Sequence, residues 1–170
     1  MIISTHAGVI INGIALKFFI LTSNSKYMSQ PIRILIAEDD PHDFSFIAEA
    51  CKQLLPPVSL IWAQNGKEVF SELAKCGEGS LPFLISLDFN MPFLNGLQAL
   101  KKLKENERYK DIPAVIYSSS LNERYKNEIL ENGAVAYLVK GTSIEEIERD
   151  VRNMLQASPE ISNFLGALRN

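Results

Sequence analysis

Residues 81–96 read LPFLISLDFNMPFLNG. Leu81–Leu87 is an apolar run of strand length, so it is predicted as a strand buried on both faces. It stops abruptly at Asp88. Asn90, Met91 and Pro92 follow, then Asn95-Gly96, which read as a loop leading into a helix. An aspartate at the carboxyl end of a parallel strand stands where open α/β sheets bind ligands. The same residue could as well cap a helix or turn a loop. The ends of the other strands decide between these readings.

Upstream, Ile32–Ala37 (IRILIA) is predicted as the first strand, and it runs into Glu38-Asp39-Asp40. Pro41 suits the first helical position, with Asp40 as N-cap. Phe44, Ile47, Ala48, Cys51, Leu54 and Leu55 keep helical spacing until Pro56-Pro57 stops the helix. Val58–Ala63 is a second strand and Lys67–Lys75 a second helix. Downstream, Leu97, Leu100 and Leu103 mark a third helix that fades into the polar KENERYKD. Pro113–Tyr117 is a fourth strand, followed by Ser118. Asn122 is expected to cap a fourth helix, which closes at Asn132-Gly133. Ala134–Val139 is a fifth strand ending at Lys140-Gly141. Ser143 and Glu146 form a capping-box pattern, and Ile144, Ile147, Val151, Met154 and Leu155 give the inward face of a fifth helix. Strand and helix alternate five times, which predicts an α/β fold with a doubly wound five-stranded parallel sheet and right-handed crossovers.

The composition fits one globular domain. Of 170 residues, 46% are hydrophobic and 22% charged, enough for a sizeable core. The net charge of −3 disfavours direct nucleic-acid binding through the whole surface. Cys51 and Cys76 are too few for a disulfide framework or a zinc site and suit a reducing compartment, so a cytoplasmic location is expected. His6 and His42 are the only histidines, too few for a His-based metal cage or catalytic triad.

The predicted strand ends carry Glu38-Asp39, Asp88, Ser118 and Lys140. In a parallel sheet these ends share one edge, so the groups converge. Strand two ends uncharged, as a flanking strand would. Carboxylates pressed together repel unless a cation sits among them. A hard divalent ion with oxygen ligands fits, and Mg²⁺ fits best with few protein ligands and several waters. A lysine and a hydroxyl opposite such a metal make a pocket for a phosphoryl group. The chemistry inferred is phosphoryl transfer to a carboxylate, with Asp88 as nucleophile.

With ILIAEDD, SLDFNMPFLNG, IPAVIYSS and AYLVK in that order, residues 31–157 resemble the receiver domains of two-component response regulators, of the chemotaxis-regulator type. The resemblance implies a flavodoxin-like (βα)5 fold with strand order 2-1-3-4-5. It implies that Asp88 is the phosphoacceptor, and that Asp39 binds Mg²⁺ directly beside Asp88. Glu38 holds metal-bound water, and the backbone carbonyl of Asn90 completes the metal set. Ser118 would close on the phosphate, Lys140 pair with it, and Tyr137 turn inward when Ser118 moves. The partner implied is a sensor histidine kinase, with output through an unidentified protein. The chain would not be an enzyme toward other substrates. Gly141 departs from the family, which usually has proline after the lysine.

Two other readings compete. A Mg²⁺-dependent phosphatase using an aspartyl-phosphate needs a second acid two residues after the nucleophile, where Asn90 stands. A receiver fold that only docks partners has no use for the intact Glu38, Asp39, Asp88, Ser118 and Lys140 set. The 13 residues of 158–170 are too short for a helix-turn-helix effector. Ile161, Phe164, Leu165 and Leu168 suit a short helix packed on the domain, or else a homodimer or partner contact. Residues 1–30 read as a disordered or mis-started extension. Val9–Leu21 is too short and too interrupted for a membrane span, although a packed segment or a weak anchor are the alternatives. A chain starting at Met28 is therefore expected to fold alone.

Overall fold

The computed structural model describes residues 31–169 apart from 56, 78 and 120–122. The expectations for residues 1–30, for Pro56 and for Asn122 as a cap lie outside the described residues. The elements in order are β1 (Ile32–Ala37), α1 (Pro41–Leu54), β2 (Val58–Ala63), α2 (Gly66–Lys75), β3 (Leu84–Asp88), α3 (Gly96–Glu105), β4 (Ala114–Ser118), α4 (Glu123–Glu131), β5 (Ala136–Val139), α5 (Ile144–Gln156) and α6 (Pro159–Arg169). The five strands form one parallel sheet in the order β2-β1-β3-β4-β5, as the sequence predicts.

Successive strand residues point to opposite faces, and this splits the core in two. Leu35, Ala37, Ile85, Leu87, Ala114 and Ile116 pack under α2, α3 and α4, against Val69, Leu73, Leu97, Leu100, Leu103 and Ile129. Ile34, Ile36, Leu84, Val115 and Tyr117 pack on the other face, under α1 and α5, against Ile47, Cys51, Val151, Met154 and Leu155. Ile161 of α6 is fully buried in this second layer, with Phe164 and Leu165 half-buried against it.

Local sequence chemistry starts the helices. The Asp40 side chain accepts the backbone N–H of His42 at 2.7 Å, satisfying a donor that the first helical turn leaves free. Asn65 does the same for α2, accepting from Lys67 and Glu68. Asn95 with Gln98, and Ser143 with Glu146, form reciprocal capping boxes. Gly96 lets α3 approach the site closely, since a Cβ there would lie 2.5 Å from the Asp88 carbonyl oxygen.

β1 and β2 have the expected bounds, but the starts of β3, β4 and β5 differ from expectation. β3 begins at Leu84, not Leu81, because Pro82 has no N–H for a ladder. The Phe83 N–H is the first to pair, donating to Arg33 O at 2.8 Å. β5 begins at Ala136 rather than Ala134, and β4 runs on through Ser118. The polar KENERYKD stretch also hides core. Tyr109 and Ile112 are buried, and the Lys104 ammonium holds their turn by donating to the carbonyls of Lys110 (2.8 Å) and Ile112 (2.9 Å). Among the described residues no helix is long and apolar enough to cross a membrane.

Candidate functional site

Three chemical groups reach one point because of strand parity. Glu38 continues the alternation of Ile34 and Ile36, Asp88 that of Leu84, and Lys140 that of Ala136 and Leu138. All of these point to the α1/α5 face. Ser118 continues Ala114 and Ile116 toward the opposite face, where Tyr137 is also packed, half-buried. The structure therefore gathers Glu38, Asp39, Asp88 and Lys140 on one side, with Ser118 and Tyr137 across the sheet edge.

Glu38 and Asp88 are buried, with 2% and 5% of their surface exposed, while Asp39 is exposed. The carboxylates of Glu38, Asp39 and Asp88 each offer an oxygen within 4.8 Å of the others. The Lys140 ammonium lies 2.7 Å from Glu38 Oε2, 2.9 Å from Asp43 Oδ2 and 3.2 Å from Asp88 Oδ1. The Asn90 N–H donates to Asp88 Oδ2 at 2.9 Å and holds that carboxylate from its other oxygen. The Trp62 indole N–H donates to the Glu38 carbonyl at 2.8 Å, and the Trp62 ring stacks on Phe44 of α1 at 4.5 Å. Ser118 is fully buried, and its carbonyl accepts the Lys140 N–H at 2.8 Å.

The site holds more negative charge than its cation balances. Burial pushes the Glu38 carboxyl up to about 7; Lys140 counteracts this, while the charges of Asp88 and Asp43 add to it. Burial likewise raises Asp88, against the pull of Lys140 and the Asn90 N–H. Burial pulls Lys140 down, but its hydrogen bonds to Glu38 and Asp43 and the charge of Asp88 outweigh that and hold it above its ordinary value. Glu38, Asp43 and Asp88 thus share one ammonium, with the Asp39 carboxylate beside them.

That imbalance is the test for a divalent metal. The donors are all oxygen, three carboxylates converge, and a second cation would relieve the repulsion among them. Such a set fits a hard ion such as Mg²⁺ or Mn²⁺. Asp39, Asp88 and Glu38 would hold it.

Three contributors are absent from the sequence reading. Asp43 was legible only as an acid in the first turn of α1, yet its carboxylate turns in to Lys140, 97 residues away. Trp62 read as an ordinary strand residue. Asp150 sits among apolar residues of α5, at a position the sequence does not single out, yet it is buried, 6% exposed.

Comparison with known proteins shows the family. The response regulator receiver domain family model matches residues 34–152. The chain belongs to that family. The regulatory protein FilR2 of Methanothrix harundinacea is 29% identical over 126 residues, 73% of this chain and 81% of that protein. The Mn²⁺-bound crystal structure of the response regulator Rcp1 superposes with a TM-score of 0.66 at 29% identity, covering 74% of this chain and 93% of that one. The phosphorylated cyanobacterial phytochrome response regulator RcpA superposes with a TM-score of 0.69 at 26% identity, covering 76% and 94%. Some curated relatives are far longer, and the chain spans only 8% of the histidine kinase P4 of Formosa agariphila.

Proposed function

We propose that the chain is a phosphoryl acceptor that takes its group on Asp88 from the phosphohistidine of a sensor histidine kinase. The observation that carries this reading is the Lys140 ammonium, 3.2 Å from a buried Asp88 and shared with Glu38 and Asp43. It is supported by two similar response regulators, RcpA in its phosphorylated form and Rcp1 in its Mn²⁺-bound form.

In the proposed reaction an Asp88 carboxylate oxygen attacks phosphorus. A P–O bond forms, the P–N bond to the donor imidazole breaks, and the electron pair leaves with that imidazole nitrogen. Asn90 keeps one Asp88 oxygen occupied, which directs the other toward the incoming group. Lys140 lies within an ion-pair length of that other oxygen and offsets charge on the transferring oxygens. When bound, Mg²⁺ adds charge stabilisation at the same oxygens. It would be held directly by Asp39, Asp88 and the Asn90 carbonyl, and through water by Glu38. Ser118 closes on the phosphate, Tyr137 follows into the vacated space, and the altered face made by α4, β5 and α5 meets an output protein. The chain turns over no other substrate.

The test is mass spectrometry after incubation with acetyl phosphate and Mg²⁺. The wild type gains one phosphoryl group and Asp88→Asn gains none. Equal uptake by Asp88→Asn sinks the assignment.

A further inference from the structure

The backbone N–H groups of Lys140 and of the two residues after it are each tied down. The Lys140 N–H donates to Ser118 O at 2.8 Å, the Gly141 N–H to Asp150 Oδ2 at 2.9 Å, and the Thr142 N–H to Glu146 Oε2 at 2.7 Å. Of these acceptors, Asp150 is the unexpected one. It is a carboxylate buried beside Val151 and Met154, and burying a charge is unfavourable unless donors compensate it. Its donors are all local to the site. Oδ2 also accepts the Tyr117 hydroxyl at 3.3 Å, a long bond, and Oδ1 lies 3.7 Å from the largely exposed Arg149 guanidinium.

Tyr117 ties this network back to the reaction centre. It is the register partner of Asp88 in β3 and of Leu138 in β5, and its ring lies 5.9 Å from the Lys140 ammonium. Glycine at 141 is required by the same arrangement. A Cβ there would collide with Glu146 Cβ in the first turn of α5 and press on Asp150 Oδ2 at 3.1 Å. A proline would collide too and would have no N–H to give. The loop after Lys140 is therefore pinned to α5 by a bond that glycine makes possible.

We propose that Asp150 is a positioning residue for Lys140, its carboxylate fixing Gly141 and Tyr117 so that the ammonium is held over Asp88. The inference rests on the phosphoryl-acceptor reading. Asp150 touches neither the metal ligands nor the reacting atoms, so its loss slows phosphoryl uptake without weakening metal binding; an ammonium freed from Glu38 and Asp88 competes less with the metal.

The full chain carries the test. Uptake from acetyl phosphate is followed by mass spectrometry. Mg²⁺ affinity is followed by the fluorescence of Trp62, the single tryptophan, whose indole is bonded to the Glu38 carbonyl. Asp150→Ala is expected to slow uptake about tenfold, with no loss of Mg²⁺ affinity. Asp150→Asn restores most of the rate, because its amide oxygen accepts the same two bonds. If Asp150→Ala fails to fold, Asp150→Leu carries the test, since it fills the space without an acceptor. Wild-type uptake in the variant lacking an acceptor overturns the proposal. So does a parallel loss of Mg²⁺ affinity, which marks a merely structural role, and so does failure of Asp150→Asn to recover. An inert wild type overturns the underlying reading, and the proposal falls with it; the wild-type control separates that case from the others.

Discussion

β3 and β5 each deliver one half of the Asp88–Lys140 pair, but from unlike settings. Every residue of β3 is buried, and the strand is paired on both sides, with β1 and β4. β5 is a four-residue edge strand paired only with β4, half-buried at Ala136–Leu138 and exposed at Val139. The helix before it, α4, buries only Ile129, and Tyr125, Leu130 and Val135 stand largely exposed nearby. Asp88, the proposed acceptor, thus ends a fully buried strand, and its cation follows a half-buried edge strand. Edges with few buried contacts open at low free energy. The proposed function needs its acid fixed and its neighbouring face free to rearrange, and this division is compatible with both. It also explains why Lys140 is restrained from three further directions: Ser118, Asp150 and Asp43.

The largest expected effect breaks the comparison if it fails. Leu87→Ala in β3 should destabilise the chain by about 3–4 kcal/mol, while Leu138→Ala in β5 should cost only about 1 kcal/mol, since a half-buried side chain leaves a smaller cavity. Urea unfolding measures both, and similar losses would mean that β5 is as confined as β3.

Next comes pH dependence, measured in EDTA. Glu38 keeps its proton up to about pH 7 in the folded chain but only to its ordinary 4.5 when unfolded. Between these values the folded state binds more protons, so stability falls as pH rises through that window. The loss is on the order of 2 kcal/mol. Added Mg²⁺ should offset it at pH 7.5. A flat stability profile from pH 4.5 to 7 would show that Lys140 already neutralises the cluster.

A smaller effect sharpens the division between acceptor and responding face. Ser118→Ala should still take up phosphate, while amide shift changes at Tyr137 on adding beryllofluoride shrink relative to wild type. Wild-type shifts in the variant would break the link between Ser118 and β5. Smallest is the control outside both regions. Glu72→Ala removes the exposed pair between Glu72 and Lys75 and should change stability by no more than about 0.5 kcal/mol.

Much of this protein could be read along the chain, and for a local reason. Alternation, N-caps and capping boxes act over two to four residues, so Asp40, Asn95 and the Ser143–Glu146 pair announce their helices directly. The five-fold strand and helix alternation with acids at the strand ends was equally visible, because parallel topology sends all those ends to one edge. The strand starts were not, since ladder pairing and not hydropathy decides where β3 and β5 begin. Nor were the partners of Lys140 fully legible. Its choice of Glu38, 102 residues away, follows from strand parity, and that of Asp43 from the way α1 packs against α5. Asp150 is the clearest case. Along α5 it is one acid among several, and only the close descent of that helix onto Gly141 turns it into a buried acceptor. What lies within one turn or one strand is determined by the sequence alone; which distant charges meet is decided by the packing of layers, where burial makes an unpaired group too costly to keep.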